Sequence, residues 1–361
     1  MIINNKHLLR IREYSRARAH AKALKHWMKL LRAYYRPLTT TQKKEIQDYY
    51  MENYGKKVKT LWHQFYYSVN NTFSVEYIPE DIFFNKAVYY LNEENTMPAY
   101  SDKNIYDKLF RESGVVQPRT ILKNIHGLFY QKGNIITTEE AEKICANLDR
   151  VIIKPALDSG AGKNVICFSS INGSTDYKNL SVRRLLEIYE KNFIIQEKVS
   201  QHPLLSSLNK SSLNTFRVNT YRSFSDIVVL NCVLKVGKQG EIMDNALAGG
   251  CFVGVDIENS ILKKHLYSVQ NGAISEKTES GVVLDGLHIP FANDIFQAAC
   301  SLHKCLPYAR LVGWDISAND KNEVVLIEGN INGVGCANIQ MASGPFFGKY
   351  TKHILNSIRG K

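Results

Sequence analysis

Two carboxylates and one amide near the C-terminus have a spacing that could bind a divalent cation. Residues 311–330 have the pattern of two strands joined by a polar turn, with Asp315, Glu328 and Asn330 at the strand ends. Glu328 and Asn330 are two residues apart, so they point to the same face of their strand. Mg²⁺ prefers oxygen ligands of this kind. The segment therefore predicts a site for one or two Mg²⁺ ions, and a plain hairpin with polar ends is the alternative.

A second group of residues could bind phosphate. Lys154 ends an apolar run, and a loop of small residues follows it, with Ser159, Gly160, Gly162 and Lys163. Glycine lets a loop backbone approach a phosphate and direct amides at it, and a lysine ammonium is a compact charge for the same anion. The loop has neither the Walker pattern nor Gly-x-Gly-x-x-Gly, so a flexible hairpin without a ligand is the alternative.

Polar residues also recur on the strands predicted between these two segments. Residues 215–221 alternate strictly, which places Arg217 and Asn219 on one face. Lys235 lies on the next predicted strand, and Asn245 lies in a turn that ends at two glycines. A polar inward face costs free energy unless it is hydrogen-bonded, and a ligand is one such partner.

A strand that continues into a polar turn could bind a nucleobase. The strand begins at Phe193 and ends in Gln196, Glu197, Lys198 and Val199. The backbone N–H and C=O groups of such a segment can pair with adenine, and amide or acidic side chains then remain for its amino group and for ribose.

These residues require a scaffold of both strands and helices. At 44% hydrophobic and 22% charged residues, the composition of the 361-residue chain is typical of a globular protein. Helices are predicted over residues 41–53, 138–148, 181–192, 290–304 and 346–358, a hairpin over 127–136, and strands over 115–122, 151–154, 193–199, 215–221, 227–236, 311–316 and 324–327.

Positive charge is concentrated at the N-terminus. Residues 1–44 contain 12 Lys and Arg against one acid, a net charge of +11, so the other 317 residues carry only +1. An apolar stripe at helical spacing predicts a basic amphipathic helix over residues 8–35, at Leu24, Trp27, Met28 and Leu31. We interpret it as a helix that packs on the protein body; the alternative is a helix on anionic lipid or another polyanion. No nucleic-acid motif is present.

Seven scattered cysteines, none in a Cys-x-x-Cys motif, predict reduced thiols in a reducing compartment. No apolar run is long enough to span a bilayer, and the N-terminus lacks a signal-peptide core. We therefore expect a cytoplasmic protein, with residues 1–44 as the segment that could contact the inner membrane face.

Taken in order, these pieces resemble the ATP-grasp superfamily over about residues 100 to 355. The resemblance is carried by Asp102-Lys103, the strand ending in Lys154 with its glycine loop, the segment Gln196-Glu197-Lys198-Val199, Arg217, and Asp315 with Glu328-Gly329-Asn330. Three further motifs resemble the sugar-transfer-associated group, which occurs with bacterial capsule and surface-polysaccharide biosynthesis: Thr215-Phe216-Arg217, Asp244-Asn245-x-x-x-Gly249-Gly250 and Gly344-Pro345-Phe346-Phe347-Gly348.

The resemblance implies an α+β fold in which two subdomains clasp ATP, preceded by a helical basic region. The implied segments are an N-terminal region at 1–95, a pre-ATP-grasp segment at 96–150, a lid subdomain with the glycine loop and hinge at 151–199, and a C-terminal subdomain with the metal site at 200–361.

The resemblance also implies ATP and Mg²⁺ as cofactors. Phosphates would contact Lys103, Lys154 and the loop from Ser159 to Lys163. Adenine would contact the hinge from Gln196 to Val199, ribose would lie near Gln201 or His202, and Mg²⁺ would be bound by Asp315, Glu328 and Asn330.

The implied reaction is ATP-dependent ligation of a carboxylate to an amine through an acyl phosphate. The carboxylate would be a small molecule or part of a glycan, such as a uronic acid or an amino acid in capsule biosynthesis. Arg217 would bind the acyl phosphate, Asn245 would contact substrate, and Lys235 is a further candidate. The alternatives are phosphate transfer to another acceptor, a catalytically silent nucleotide-binding scaffold, and a polyanion-binding protein acting through residues 1–44.

Two positions depart from the family pattern. Many ATP-grasp ligases carry an arginine two residues before the first aspartate that binds the metal, where this chain has Gly313. Arg217 is therefore the candidate for stabilising the negative charge of the transition state. Leu204 stands where the acid that binds ribose is expected, which leaves the ribose contact open.

Overall fold

The computed structural model describes residues 21–22, 24–26, 28–29, 32–157, 162, 164–241, 244, 249–268, 270–331 and 333–360. Two seven-stranded antiparallel sheets and the helices around them form the protein, which confirms the predicted α+β class. Three clusters of buried side chains hold these layers together. All seven cysteines are free thiols, as predicted.

The first sheet is formed by residues 120–197 in the order β3-β2-β1-β7-β4-β5-β6. Its central strands are rich in β-branched residues, which favour extended backbone. Ile152 on β4 lies opposite Gln196 on β7, so Lys154 and the predicted hinge belong to neighbouring strands. The predicted hairpin over 127–136 is confirmed as β2 and β3. The strands are β1 Thr120–Ile125, β2 Leu128–Gln131, β3 Asn134–Ile136, β4 Leu148–Pro155, β5 Ile166–Ile171, β6 Ser174–Thr175 and β7 Phe193–Glu197.

The second sheet has the order β12-β11-β10-β9-β8-β13-β14. Its register places Asp315 on β13 between Glu328 on β14 and Arg217 on β8. Thr215 on β8 lies opposite Lys235 on β9. The strands are β8 Thr215–Arg222, β9 Ile227–Val236, β10 Cys251–Asp256, β11 Ile261–Ser268, β12 Ile274–Ser275, β13 Leu311–Ala318 and β14 Val324–Asn330.

Most helices are short, and several boundaries differ slightly from the prediction. Thr39 and Gln42 close a capping box, so α1 starts at Thr40. The last predicted helix is shorter, because Gly348–Tyr350 forms a 3₁₀ turn before it. The helices are α1 Thr40–Asn53, α2 Leu61–Asn70, α3 Glu80–Ile82, α4 Val88–Leu91, α5 Met97–Tyr100, α6 Tyr106–Leu109, α7 Thr138–Ile144, α8 Val182–Tyr189, α9 Pro203–Leu208, α10 Ala292–Lys304, α11 Ala337–Ser343 and α12 Thr351–Ser357; a π turn, Phe83–Ala87, joins α3 to α4, and further 3₁₀ turns are Arg32–Tyr34, Lys103–Ile105 and Arg111–Ser113.

The N-terminal layer, which comprises residues 40–91, shares one hydrophobic cluster with the second sheet and α11. Two buried polar side chains join the layer to α11. The Gln340 Nε2 donates to the Ile78 carbonyl at 2.9 Å, and the Ile78 N–H donates to Gln340 Oε1 at 2.9 Å. The Ala337 N–H donates to Glu80 Oε1 at 3.1 Å. The layer is therefore part of the folded body that supports α11.

Part of the predicted basic helix packs on this same cluster. The described residues between 21 and 29 are helical; Leu24 is buried and Met28 packs against the cluster. Residues 1–20, together with 23, 27, 30 and 31, lie outside the described part of the chain. Among the residues that the structure describes, no helix is long and apolar enough to cross a bilayer.

Candidate functional site

Most predicted site residues line one cleft, with a cavity volume of about 320 Å³, that is bounded by both sheets. The first sheet, its hinge and the turn at Lys103 contribute Lys103, Lys154, Gly162, Gln196, Glu197, Lys198 and Val199. The second sheet contributes Arg217, Lys235, Asp315, Glu328 and Asn330. The lysine beside the glycine loop and the three oxygen donors therefore share one cleft.

The three predicted metal ligands come together because β13 and β14 are paired. Asp315 lies directly opposite Glu328, and Asn330 Nδ2 lies 3.3 Å from Asp315 Oδ2. Two carboxylates and an amide are hard donors of the kind that Mg²⁺ binds with waters or phosphate oxygens completing its shell. The described part of the chain has no cluster of three or more His, Cys, Asp or Glu that could hold a metal ion, so the proposed site depends on the amide of Asn330 as its third donor.

Asp315 is held by two cations from neighbouring strands. Arg217 Nε lies 2.7 Å from Asp315 Oδ1 and Arg217 Nη2 lies 3.0 Å from Asp315 Oδ2, a bidentate pair. Lys235 Nζ lies 3.1 Å from Asp315 Oδ1. Burial raises the pKa of Asp315, but Arg217 and Lys235 outweigh it and hold that pKa well below its usual range. Asp315 is therefore an ionised, tightly paired carboxylate.

Glu328 is paired with Lys103, which the short turn Lys103–Ile105 brings to the cleft. Lys103 Nζ lies 2.8 Å from Glu328 Oε1, and the lysine side chain is only 5% exposed. The Lys103 N–H donates to the Ala156 carbonyl at 3.1 Å, which fixes the turn beside β4. No pattern of spacing in the sequence points to Lys103, so only the family resemblance could predict it.

Lys154 on β4 presents a second ammonium to the cleft. Burial and the nearby Lys103 charge lower the pKa of Lys154 to about 8. A cation under this repulsion gains from an anionic ligand, as expected of a phosphate contact. Gly162 lines the cleft, whereas Ser159, Gly160 and Lys163 lie outside the described residues.

The hinge residues also line the cleft. The buried Gln196 donates through Nε2 to the Pro118 carbonyl and to Thr120 Oγ1, both at 3.3 Å. Glu197 pairs with Arg119 at the exposed rim, and this hydrogen bond lowers the pKa of Glu197. Lys198 and Val199 follow β7 and line the cleft.

The structure does not bring His202 into the cleft. His202 caps α9, where its Nδ1 accepts a hydrogen bond from the Leu204 N–H at 3.0 Å and its ring packs 4.6 Å from Phe291. Gln201 donates to the carbonyls of Asn209 and Ser212. His202 is therefore not among the residues that line the cleft, its Nδ1 is used by the local backbone, and the ribose contact near Gln201 or His202 stays a prediction. Asn245 lies outside the described residues.

Three polar residues of the cleft, Thr215, Asp244 and Asn338, were not among the predicted site residues. Asp244 contacts Thr215 Oγ1 and lies 3.6 Å from Lys235 Nζ; burial raises the pKa of Asp244, and Lys235 opposes that shift. Its place in the glycine-rich turn is a signal that could have identified it. Asn338, on the first turn of α11, lines the cleft together with Ile339. Nothing in the local sequence marks Asn338, because only tertiary packing brings α11 there.

Gly313 lies opposite Asn219 on β8 and close to the Arg217 side chain. A Cβ at this position would lie 2.9 Å from Asn219 Oδ1 and 3.2 Å from Arg217 Cδ. The space that a side chain at 313 would fill is thus occupied by residues of β8. A glycine at 313 therefore leaves room for the side chains of Asn219 and Arg217.

No curated protein sequence matches this chain significantly. Solved structures similar to it include VanG D-Ala:D-Ser ligase from Enterococcus faecalis, with 12% identity, a TM-score of 0.40, and coverage of 72% of this chain and 60% of that chain. Another is the ATP-grasp ligase PsnB complexed with precursor peptide PsnA2 and AMPPNP, with 13% identity, a TM-score of 0.43 and coverage of 74% and 62%. The L-amino acid ligase from Bacillus licheniformis has 10% identity, a TM-score of 0.40 and coverage of 73% and 48%. The chain therefore spans about half to two thirds of these proteins.

A family model, described as sugar-transfer associated ATP-grasp, matches residues 85–356. This range contains both sheets and every described residue of the cleft. Because the match covers most of the chain, the protein belongs to the sugar-transfer-associated ATP-grasp family, for which ATP and Mg²⁺ are the cofactors.

Proposed function

We propose that the protein is an ATP-dependent ligase that joins a carboxylate to an amine through an acyl phosphate. The observation that carries this proposal is the shared cleft: oxygen donors for Mg²⁺ stand on paired strands, and Lys103, Lys154, Arg217 and Lys235 surround them. A site for transferring phosphate from ATP needs this combination of metal ligands and cations.

The residues of the cleft have separate proposed tasks. Gln196 and Val199 bind adenine at the hinge, and Lys103 and Lys154 bind the phosphates. Asp315, Glu328 and Asn330 hold Mg²⁺, which supplies neutralisation of phosphate charge. The ribose partner is open, because His202 serves as a helix cap.

The chemistry proceeds in two displacements. A carboxylate oxygen of the acceptor attacks the γ-phosphorus and ADP leaves, which gives an acyl phosphate. An amine then attacks the acyl carbon, phosphate leaves, and the nitrogen gives up one proton to the departing phosphate, which gives the amide. We assign Arg217 and Lys235 to the stabilisation of the anionic acyl phosphate, and the contacts of both side chains with Asp315 support this assignment. Asn245 remains a proposed substrate contact.

The proposed acceptor is a uronic acid or an amino acid of surface-polysaccharide biosynthesis, and the donor is an amine. The family description, with its association to sugar transfer, supports a carbohydrate-linked substrate. The experiment is a matrix of uronic acids and amino acids with ATP and Mg²⁺, scored for ADP and free phosphate and followed by mass spectrometry. An amide product with one phosphate released per ADP supports ligation; a phosphorylated acceptor without free phosphate contradicts it.

The metal assignment gives a direct prediction for this reaction. Asp315→Ala and Glu328→Ala should each abolish Mg²⁺-dependent ATP turnover while circular dichroism shows a retained fold, because each variant removes a charged metal ligand. Lys264→Ala, which removes a surface ion pair with Glu276, is the matched control and should retain turnover. Turnover that persisted in both site variants would show that these carboxylates do not bind the essential metal.

A further inference from the structure

Each proposed metal ligand is already engaged by a nitrogen of the chain. Lys103 Nζ lies 2.8 Å from Glu328 Oε1. Both oxygens of Asp315 accept hydrogen bonds from Arg217, at 2.7 and 3.0 Å. Asn330 turns its amide nitrogen, rather than its oxygen, toward Asp315 Oδ2 at 3.3 Å. Lys235 Nζ also lies 3.1 Å from Asp315 Oδ1, so three cations and an amide hydrogen occupy the positions from which these ligands would bind a metal.

These ion pairs are buried, so water screens their charges poorly. The side chains of Lys103 and Asp315 are 5% and 8% exposed. A divalent cation that entered beside them would meet a strong repulsion from Lys103, Arg217 and Lys235 unless these side chains moved away. A displaced buried cation without a new partner is costly in turn. Free Mg²⁺ alone offers no such partner, whereas a nucleotide phosphate does.

We propose that the cleft exchanges ion-pair partners when nucleotide binds. Lys103 and Arg217 hold the two metal carboxylates until Mg²⁺ arrives on a nucleotide phosphate, and they then transfer to phosphate oxygens. Each cation exchanges one anion for another, and each carboxylate exchanges a nitrogen for the metal. Lys103 and Arg217 thus make metal binding conditional on nucleotide. The inference rests on the metal site proposed above.

The test uses Mn²⁺ as the probe, with the free ion measured by electron paramagnetic resonance at pH 7. The wild-type protein should bind no Mn²⁺ at the cleft without nucleotide and should bind it when ADP is added. Lys103→Met and Arg217→Met should each bind nucleotide-free Mn²⁺ at least about tenfold more tightly than wild type, because one repelling charge is gone. The same variants should bind ADP more weakly.

Two controls test whether the tighter Mn²⁺ binding of the variants arises at this site. Lys264→Met leaves Glu276 without its partner at 3.1 Å on the surface and should gain no Mn²⁺ binding, because a single carboxylate is a poor site. Adding Glu328→Gln to Lys103→Met should remove the gain. If Arg217→Met is marginally folded, its melting temperature provides a second readout. Mn²⁺ alone should raise it in the variant and leave that of wild type unchanged, because only the variant binds the free ion.

The outcomes separate this inference from the proposed function. Nucleotide-free Mn²⁺ binding in wild type that equals binding in the variants overturns the exchange, even if ATP turnover stands. Unchanged Mn²⁺-ADP binding in Asp315→Asn and Glu328→Gln shows instead that the metal site is misplaced. A gain in Lys103→Met and Arg217→Met that Glu328→Gln abolishes supports the exchange.

Discussion

At the residue scale, charge in the cleft is balanced by contacts between strands. Asp315 is paired with Arg217 and Lys235, and Lys235 also lies 3.6 Å from Asp244. Lys154 differs, because its strongest charged neighbour is another cation, Lys103. The free protein therefore holds one ammonium in an unfavourable setting, and an anionic ligand would relieve it.

This setting predicts how nucleotide affinity depends on pH. The pKa of Lys154 is lowered to about 8 by burial and by Lys103, so the free protein loses this proton as pH rises through 8. A bound phosphate favours the ammonium, so Mg²⁺-ADP binding should take up a proton above pH 8 and weaken by up to about tenfold per pH unit there. Titration calorimetry at pH 7 to 9, in two buffers of different ionisation enthalpy, measures both effects.

Lys154→Met is the control for this dependence. It should bind Mg²⁺-ADP more weakly at pH 7 and should lose the additional weakening between pH 8 and 9. A wild-type affinity that is constant over this range, with no proton uptake, would contradict a phosphate role for Lys154.

A site residue can be predicted from the sequence when its position on a strand fixes the direction of its side chain. Glu328 and Asn330 were predictable because the two-residue period of a strand fixes the face of each side chain. His202 follows the last hinge residues, where no period applies, and its ring instead caps α9. Lys103 and Asn338 come from a short turn and a short helix whose positions only tertiary contacts set.

At the scale of elements, the contact between β8 and β13 requires a glycine. Gly313 lies opposite Asn219, and Arg217 passes over it to reach Asp315. A Cβ at position 313 would lie 2.9 Å from Asn219 Oδ1, closer than real side chains approach. Because Asn219 is fully buried, it has little room to move.

Gly313→Ala should therefore separate Arg217 from Asp315. We expect a loss of about 1–3 kcal/mol in the free energy of unfolding, as for other overpacked sites, and a lower rate of ATP turnover. Urea unfolding and an ADP-release assay measure the two effects. Gly333→Ala is the matched control, because a Cβ there meets open space. Equal stability and turnover of the two variants would contradict the close packing at 313.

Some elements could be predicted and others could not. Strands β13, β14, β8 and β9 follow clear apolar or alternating runs, and the structure confirms them. Strands β10 and β11 were not predicted, because Gly254 and Lys263-Lys264 interrupt the apolar pattern. Gly254 is required by packing: a Cβ there would lie 2.4 Å from the Ala342 carbonyl of α11.

At the scale of the whole molecule, the N-terminal layer reaches the cleft through α11. The layer shares a buried cluster with the second sheet, and Glu80 and Ile78 hold the start of α11. Asn338 and Ile339 of that helix line the cleft. Sequence patterns predict the first helix of the layer, α1, but not this support, since Gln340 and Ile78 are 262 residues apart.

Gln340 is the residue that tests this support. Gln340→Ala leaves the Ile78 N–H and carbonyl without partners in a buried region, which should cost about 1–3 kcal/mol of unfolding free energy. Gln47→Ala is the matched control, because Gln47 makes the same pair of backbone hydrogen bonds with Val58, at 2.6 and 3.1 Å, away from α11. Both variants should melt at lower temperature. At a temperature where both are folded, only Gln340→Ala should slow ATP turnover, because only it displaces a wall of the cleft. Equal turnover in the two variants would mean that the N-terminal layer stabilises the fold without positioning the site.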